Sequence, residues 1–366
     1  MSLKTSLPRL SVLSSPSQAT PFADLSVFEH RDLGWDQSPT LGGGRVALYG
    51  LPPGILTTGG YHVPGRGVIF ETTRFGLMPD HFQGDSTLHT FIDEFRSDTS
   101  TAADMDEAVL IGTDWDYNFQ HFLVETFPRI YALTRCCSAR TTPAIVVAEC
   151  PHVRDILMLC FPGYTFRFLP KNESIRIVRR GLFVSPASAN FGKQPKLLHE
   201  SLRYLHEHML SSVPTFARGH NHQRAYFGRQ LVPGYSGNNR RAINEAAVTA
   251  YLAERGYPPL FFDGCDCAEK IRLQVATRQA IMPDGANLMN LLFAKGPLQL
   301  GVICHPLLLQ MPWFIELIRG CRLPIGRVEL FEGTTLEDPE VGTGSNRPYV
   351  VDLAALKAFM TRFEGL

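Results

Sequence analysis

Asn118, His121 and Glu125 fall among Phe119, Phe122 and Phe127. Side chains three and four residues apart share one helical face, so this spacing predicts a polar stripe on an apolar helix. Imidazole exchanges protons near neutral pH. One reading is a base at His121 oriented by Glu125; the other is a histidine satisfied by its neighbour that ties two helices together. A second candidate is the segment Met282-Pro283-Asp284-Gly285-Ala286-Asn287-Leu288-Met289-Asn290, where a strand should end and a helix begin. Gly285 permits a sharp turn. A helix start offers unpaired N–H groups and a positive dipole end, which suit a pyrophosphate. The same junction also serves plain packing in many α/β proteins. A third lies between Arg224 and Glu245, where Arg229 follows a strand and Arg240 and Arg241 precede a helix. Guanidinium groups there suit bidentate phosphate or carboxylate recognition, while a solvated loop is the alternative for any one of them.

The elements that must position these groups follow from apolar patterning. Ala108 to Gly112 (AVLIG) predicts a buried strand. It leads through Asp114-Trp115-Asp116-Tyr117 into a helix with Phe119, Phe122, Leu123, Phe127 and Ile130 on one face. Pro128 sits inside that pattern and predicts a kink, since it lacks an N–H and crowds the carbonyl of Val124. Strands follow at Ala144 to Ala148, Tyr164 to Leu169 and Arg179 to Val184, with helices over His152 to Leu159 and Leu197 to Leu210. After a Pro-, Gly- and His-containing linker at 211–223, strands are predicted at Arg224 to Gly228, Leu260 to Phe262, Gln279 to Met282 and Leu298 to Cys304. Helices are predicted at Asn244 to Arg255, Ala268 to Ala276 and Asn287 to Ala294. Strand and helix in this alternation predict parallel sheets with crossover helices.

The domain plan that results is an irregular segment over 1–60, an α/β domain over 61–212, a second over 213–345 and a closing helix over 346–366. The early segment is rich in Ser, Pro, Thr and Gly; strands are predicted within it at Val46 to Leu51 and just after it at Gly67 to Glu71. It suits either packing on the first domain or supporting a homodimer, two readings the sequence leaves open. Lys plus Arg and Asp plus Glu both number 35, so no excess positive charge is present to grip a nucleic acid. The eight cysteines match no zinc or CxxC spacing and read as buried thiols of a reducing, cytoplasmic compartment. Neither a signal peptide nor a transmembrane run is expected.

Together the three segments resemble glycosyltransferase family 61, also known as DUF563, a family that includes bacterial capsular and exopolysaccharide enzymes. The family's N-x-x-H-x-x-x-E/D-x-x-P-R/K helix is matched by Asn118, His121, Glu125, Pro128 and Arg129. Its Arg-containing turn and R-R-x-x-N-E run are matched by Arg229, Arg240, Arg241, Asn244 and Glu245. Its late G-x-H-G-A-x-L-x-N stretch is matched by Gly285, Ala286, Leu288 and Asn290. The resemblance covers roughly Gly112 to Pro306.

It implies an α/β, GT-B-like architecture, two Rossmann-like domains with parallel sheets facing across a cleft, the first on the acceptor side and the second binding the donor. It implies an inverting transfer from a nucleotide sugar to a glycan or small-molecule hydroxyl, with no cofactor and no metal. The Asp114-Trp115-Asp116 triplet has the form of a metal motif but abuts the family helix. In this reading His121 is the base and Glu125 orients it. Asn118, Arg229, Arg240, Arg241, Gly285, Ala286, Asn287, Asn290 and His305 contact substrate, and Asp284 touches a donor hydroxyl or acts as a base. Two positions depart from the family. Its His before Gly-Ala is Asp284 here, and the Glu it usually carries after the next strand is Cys304, followed by His305. The departures leave a non-catalytic or repurposed member as the alternative.

Overall fold

The computed structural model describes residues 22–23, 28–37, 45–64, 67–69, 72, 103–171, 173–186, 196–212, 223–229, 242–262, 264–309, 313–335 and 349–365. The chain divides into two compact units, Met1–Leu202 and Arg203–Leu366.

The first unit is built on a mixed sheet. Its strands among the described residues are β1 (Phe22–Ala23), β2 (His30–Asp36), β3 (Arg45–Leu51), β4 (Gly54–Thr57), β5 (Gly60–Val63), β6 (Gly67–Ile69), β7 (Ala103–Leu110), β8 (Ile145–Ala148), β9 (Phe166–Leu169) and β10 (Ser174–Val184). β7, β8 and β9 run parallel, and β10 runs parallel to β7. Helices α1 (Phe127–Cys136) and α2 (Pro151–Cys160) connect them. Every residue of β8 is buried, which is why IVVA reads as a continuous apolar run rather than an alternating one.

The expectation of a parallel sheet holds for only this part of the unit. On the other side of β10, β3 and β4 both pair with it antiparallel, Leu51 opposite Gly181 and Gly54 opposite Ile177. Pro52 and Pro53 sit between them, where no ladder N–H is required of them. β4 turns into β5 through the two residues Thr58 and Gly59, a connection that only antiparallel strands can make. The described residues of the 1–60 segment thus supply β1, β2, β3 and β4 to the main sheet; the strand predicted at Val46 to Leu51 is β3, and the irregular reading fails for β1, β2 and β4. Tyr61, Leu56, Ile175, Ile177, Phe183 and Leu110 form the core beneath these strands.

The second unit carries a sheet that is parallel throughout. Its strands are β11 (Arg224–Phe227), β12 (Pro259–Leu260), β13 (Gln279–Pro283), β14 (Leu298–Cys304) and β15 (Ile325–Glu332), in the spatial order β12-β11-β13-β14-β15. Helix α3 (Lys196–Ser212) precedes them; α4 (Glu245–Glu254), α5 (Cys267–Ala276) and α6 (Trp313–Cys321) lie between strands, and α7 (Leu353–Glu364) closes the chain. Counted from β11, the order is 2-1-3-4-5, that of a flavodoxin-like doubly wound sheet. The chain reverses its winding between β11 and β13, and ligands of such sheets bind at the carboxyl ends of the strands there. Ile281, Ile303, Tyr257, Leu252 and Phe359 belong to the core of this unit.

The helix predicted at Asn287 to Ala294 forms instead as a 3-10 helix over Ala286–Phe293. The Asn290 amide donates to Asn287 O at 2.9 Å, occupying the carbonyl that an α-helical turn would offer to the N–H of Leu291. Among the described residues no helix is long and apolar enough to cross a membrane.

Candidate functional site

Each unit gathers one constellation at the carboxyl end of its parallel strands. In the first, the chain leaves β7 and turns at Gly112. A Cβ there would stand 2.7 Å from Val147 Cα and 2.8 Å from Ala148 N, so the approach to β8 requires glycine. A 3-10 turn, Asp114–Tyr117, follows, and Asp116 Oδ2 accepts from the N–H of Thr113 at 2.9 Å. Asn118 caps the next turn, Phe119–His121, by accepting from Gln120 N at 2.9 Å.

Phe122–Thr126 is then wound as a π-helix, with the N–H of Phe127 bonded to Phe122 O. Pro128 explains the change. It has no N–H for the Val124 carbonyl, and the discontinuity expected at the proline is taken up by a π turn just ahead of it.

On this segment His121 Nδ1 lies 2.9 Å from Glu125 Oε1, the imidazole 17% exposed and the carboxylate 1% exposed. The Trp115 indole rests against the imidazole, ring centroids 4.5 Å apart. Glu125 therefore fixes one ring nitrogen, and Nε2 is the one left for a reacting group. Beneath the pair, Asp116 and Arg129 are fully buried. Arg129 donates from Nε to Val184 O at 2.8 Å and from Nη1 to Ile111 O at 2.7 Å, so it straps the ends of β10 and β7. Asp116 Oδ1 accepts from Thr126 Oγ1 at 2.6 Å. His152 Nε2 sits 2.8 Å from Asp116 O. Burial pushes the Asp116 carboxyl up to about 7, against the lowering effects of Thr126, the Thr113 N–H and Arg129. Burial likewise pulls Arg129 down to about 10, against Asp116 and Glu125.

In the second unit, Arg229 follows β11 and Asp284-Gly285 follow β13, so they flank the switch point of the sheet. Arg229 Nη2 donates to the Asp284 carbonyl. Gly285 has φ 135°, and a Cβ on it would run into the Arg229 guanidinium. The N–H groups of Ala286 and Asn287 precede the first bond of the 3-10 helix, Leu288 N to Gly285 O at 2.9 Å. A guanidinium and a helix start thus share one turn, an arrangement that attracts anions.

Around that turn the predicted residues are buried. Asp284 is 5% exposed, His305 2% and Asn290 1%. Asn290 folds back on Asn287, and among the described residues its Oδ1 has no hydrogen-bond partner. The His305 ring meets Tyr349 edge-on at 5.8 Å. Glu245, first residue of α4, accepts from Tyr226 OH at 2.5 Å. Burial raises its pKa, opposed by Tyr226 and by the backbone N–H and charge of Arg229. Cys304 is pushed up to about 12 by burial, then by Asp284 and Glu332. Arg240 and Arg241 lie outside the described residues.

Pattern reading missed Tyr226, Tyr349 and His152. Tyr226 has the form of any buried strand residue. Tyr349 reaches the site from far along the chain, and neither carries a local signal. His152 bonds to the Asp116 carbonyl, 36 residues upstream, which no local pattern marks either. Among the described residues no group of three His, Cys, Asp or Glu side chains could hold a metal ion. Asp116 of the Asp-Trp-Asp triplet is taken up by Thr126 and Thr113.

Compared with known proteins, residues 119–300, about half of the chain, match the family described as Glycosyltransferase 61. No match is found among curated proteins. The matched span runs from the His121 segment through the Arg229 and Gly285 turns to β14.

Proposed function

This chain belongs to glycosyltransferase family 61, and from that premise we propose that it moves a sugar from a nucleotide-sugar donor to the hydroxyl of a glycan or small-molecule acceptor, with inversion and without a bound metal. The observation that carries the reading is the His121–Glu125 pair, a partly exposed imidazole held at Nδ1 by a buried carboxylate 2.9 Å away. In the proposed step His121 Nε2 takes the proton of the acceptor hydroxyl. The acceptor oxygen bonds to the anomeric carbon as the bond from that carbon to the diphosphate oxygen breaks. The leaving diphosphate gains negative charge. Arg229, the N–H groups of Ala286 and Asn287, and the arginines Arg240 and Arg241 would stabilise it. Asp284 and His305 would bound the donor pocket, and Asn118 would hold the segment that carries the base. The two-domain GT-B organisation and a cytoplasmic location are part of this proposal; eight free cysteines accord with a reducing compartment.

A second reading, binding without transfer, is favoured by one observation. The turn that would receive a diphosphate has a buried carboxylate, Asp284, directly behind it. Thermal shift against a panel of nucleotides and nucleotide sugars, in EDTA and with added divalent metal, separates the two. Ligands that bind only the folded protein raise its melting temperature. Stabilisation by one nucleoside diphosphate family in EDTA, followed by sugar transfer that is lost in His121→Ala, supports the transferase. Stabilisation by none of them overturns it.

A further inference from the structure

The C-terminal end of α1 presents two adjacent thiols, Cys136 and Cys137, on the first unit. Their hydrogen bonds run in opposite senses. Cys136 Sγ lies 3.3 Å from the Leu33 carbonyl. A carbonyl can only accept, so the bond requires Cys136 to keep its S–H. Cys137 Sγ instead lies 2.9 Å from Arg31 Nη2, a permanent donor, so that sulfur is the acceptor. Both partners are on β2, in the segment Arg31 to Leu33. Cys136 is exposed and Cys137 is half-buried, so a small reagent can reach them. Burial and the neighbouring sulfur also raise the pKa of Cys136, opposed by Arg31 and Arg135. The two sulfurs are thus distinguished by geometry as a hydrogen-bond donor, Cys136, and an acceptor of a guanidinium N–H, Cys137.

We propose that Cys136 and Cys137 form a hydroperoxide-reactive vicinal dithiol, with Cys137 the attacking sulfur held by Arg31 and Cys136 the resolving one. In the first step the Cys137 thiolate attacks the peroxide. A sulfur–oxygen bond forms, the oxygen–oxygen bond breaks, and hydroxide or alkoxide leaves. In the second, the Cys136 sulfur attacks the Cys137 sulfenic acid. The disulfide bond forms, and its thiol proton leaves with the hydroxyl as water. Sulfur is oxidised and the peroxide is reduced, and no other electron carrier takes part. Closing the ring removes both the Cys136 bond to Leu33 and the acceptor of Arg31, two ties between β2 and the helix that follows the His121 segment.

The test uses the full chain and does not depend on sugar transfer. With a limiting amount of iodoacetamide at neutral pH, peptide mass spectrometry should show Cys137 alkylated about tenfold faster than Cys136. Arg31→Ala should remove that preference while leaving the melting temperature nearly unchanged, since Arg31 is exposed. After stoichiometric hydrogen peroxide, the wild type should yield a peptide with Cys136 and Cys137 joined and two hydrogens lighter. Cys136→Ser should trap a dimedone adduct at Cys137 instead. Equal alkylation of the two thiols, or a preference that survives Arg31→Ala, overturns the proposal. So does peroxide treatment that leaves Cys137 reduced or oxidises buried cysteines first.

Discussion

Asp284 and Cys304 are neighbours across the β13–β14 pair: the N–H of Asp284 bonds to Ile303 O at 2.9 Å, one residue before Cys304. The two positions at which the chain departs from its family are therefore one site. Where the family places an imidazole on one strand end and a carboxylate on the next, this protein places a carboxylate on the first and a neutral thiol on the second. Across this strand pair the carboxylate has changed sides. Cys304→Glu alone would bury a second carboxylate beside Asp284, and we expect a loss of more than about 3 kcal/mol. Adding Asp284→His should recover part of it. Urea unfolding of the two single variants and the double variant measures the coupling, expected at about 0.5 to 3 kcal/mol. Additive losses would mean that the two departures arose independently.

The His121–Glu125 pair gives a kinetic prediction. His121→Ala should lower kcat by about 10²- to 10⁴-fold, as expected for a lost general base, and should also lower the melting temperature, because it takes away the partner of the buried Glu125 carboxylate. Glu125→Gln keeps the shape but offers its amide to Nδ1 as readily as its oxygen, so the ring loses its fixed tautomer. A smaller fall, about 10²-fold, is expected. Donor KM should hold in both variants, because the donor contacts proposed above lie elsewhere. Steady-state transfer kinetics with the donor found by thermal shift decide it. An altered donor KM with intact kcat would remove His121 from the chemistry.

The legible parts of the sequence were those with short-range signatures. The strands β8, β11, β13 and β14 announce themselves as apolar runs, and the His121 and Gly285 segments by their spacing. What stayed hidden depends on partners distant in the chain. Pro128 forecast a break, but not that a π turn upstream would absorb it. Arg129 gave no sign that it would strap Ile111 to Val184. β3 was legible as the apolar run Val46 to Leu51, whereas β2 lacked a clear apolar pattern because most of its residues face solvent. The 2-1-3-4-5 order that puts Arg229 next to Gly285 is a property of strand pairing, which no local window contains.

Gly285 is a position where both backbone and space demand glycine. An alanine at φ 135° is strained by about 1 to 3 kcal/mol, and its methyl would displace the Arg229 guanidinium. Gly285→Ala should therefore cost stability and raise donor KM together, whereas Arg229→Lys should raise donor KM with a smaller stability loss. Differential scanning fluorimetry and donor titrations on the two variants separate these effects. A Gly285→Ala protein with wild-type donor affinity would show that the turn does not hold the diphosphate.

The buried Asp116 makes a prediction about pH. Its folded pKa, about 7, lies above the ordinary 3.8, so the folded protein holds this proton more tightly than the unfolded chain does. The contribution is fully present below about pH 4 and is lost as pH rises toward 7. At about 1.36 kcal/mol per unit the loss is on the order of 4 kcal/mol. Asp116→Asn cannot ionise. Its oxygen can still accept from the Thr113 N–H, and its amide can donate to Thr126 Oγ1. The variant should therefore gain on the wild type between pH 4 and pH 8, and the difference should level off above about pH 7. Urea unfolding at intervals across that range measures it. A difference that stays flat would mean that Arg129 keeps Asp116 ionised throughout, and the carboxylate would then be a fixed anion under the His121–Glu125 pair.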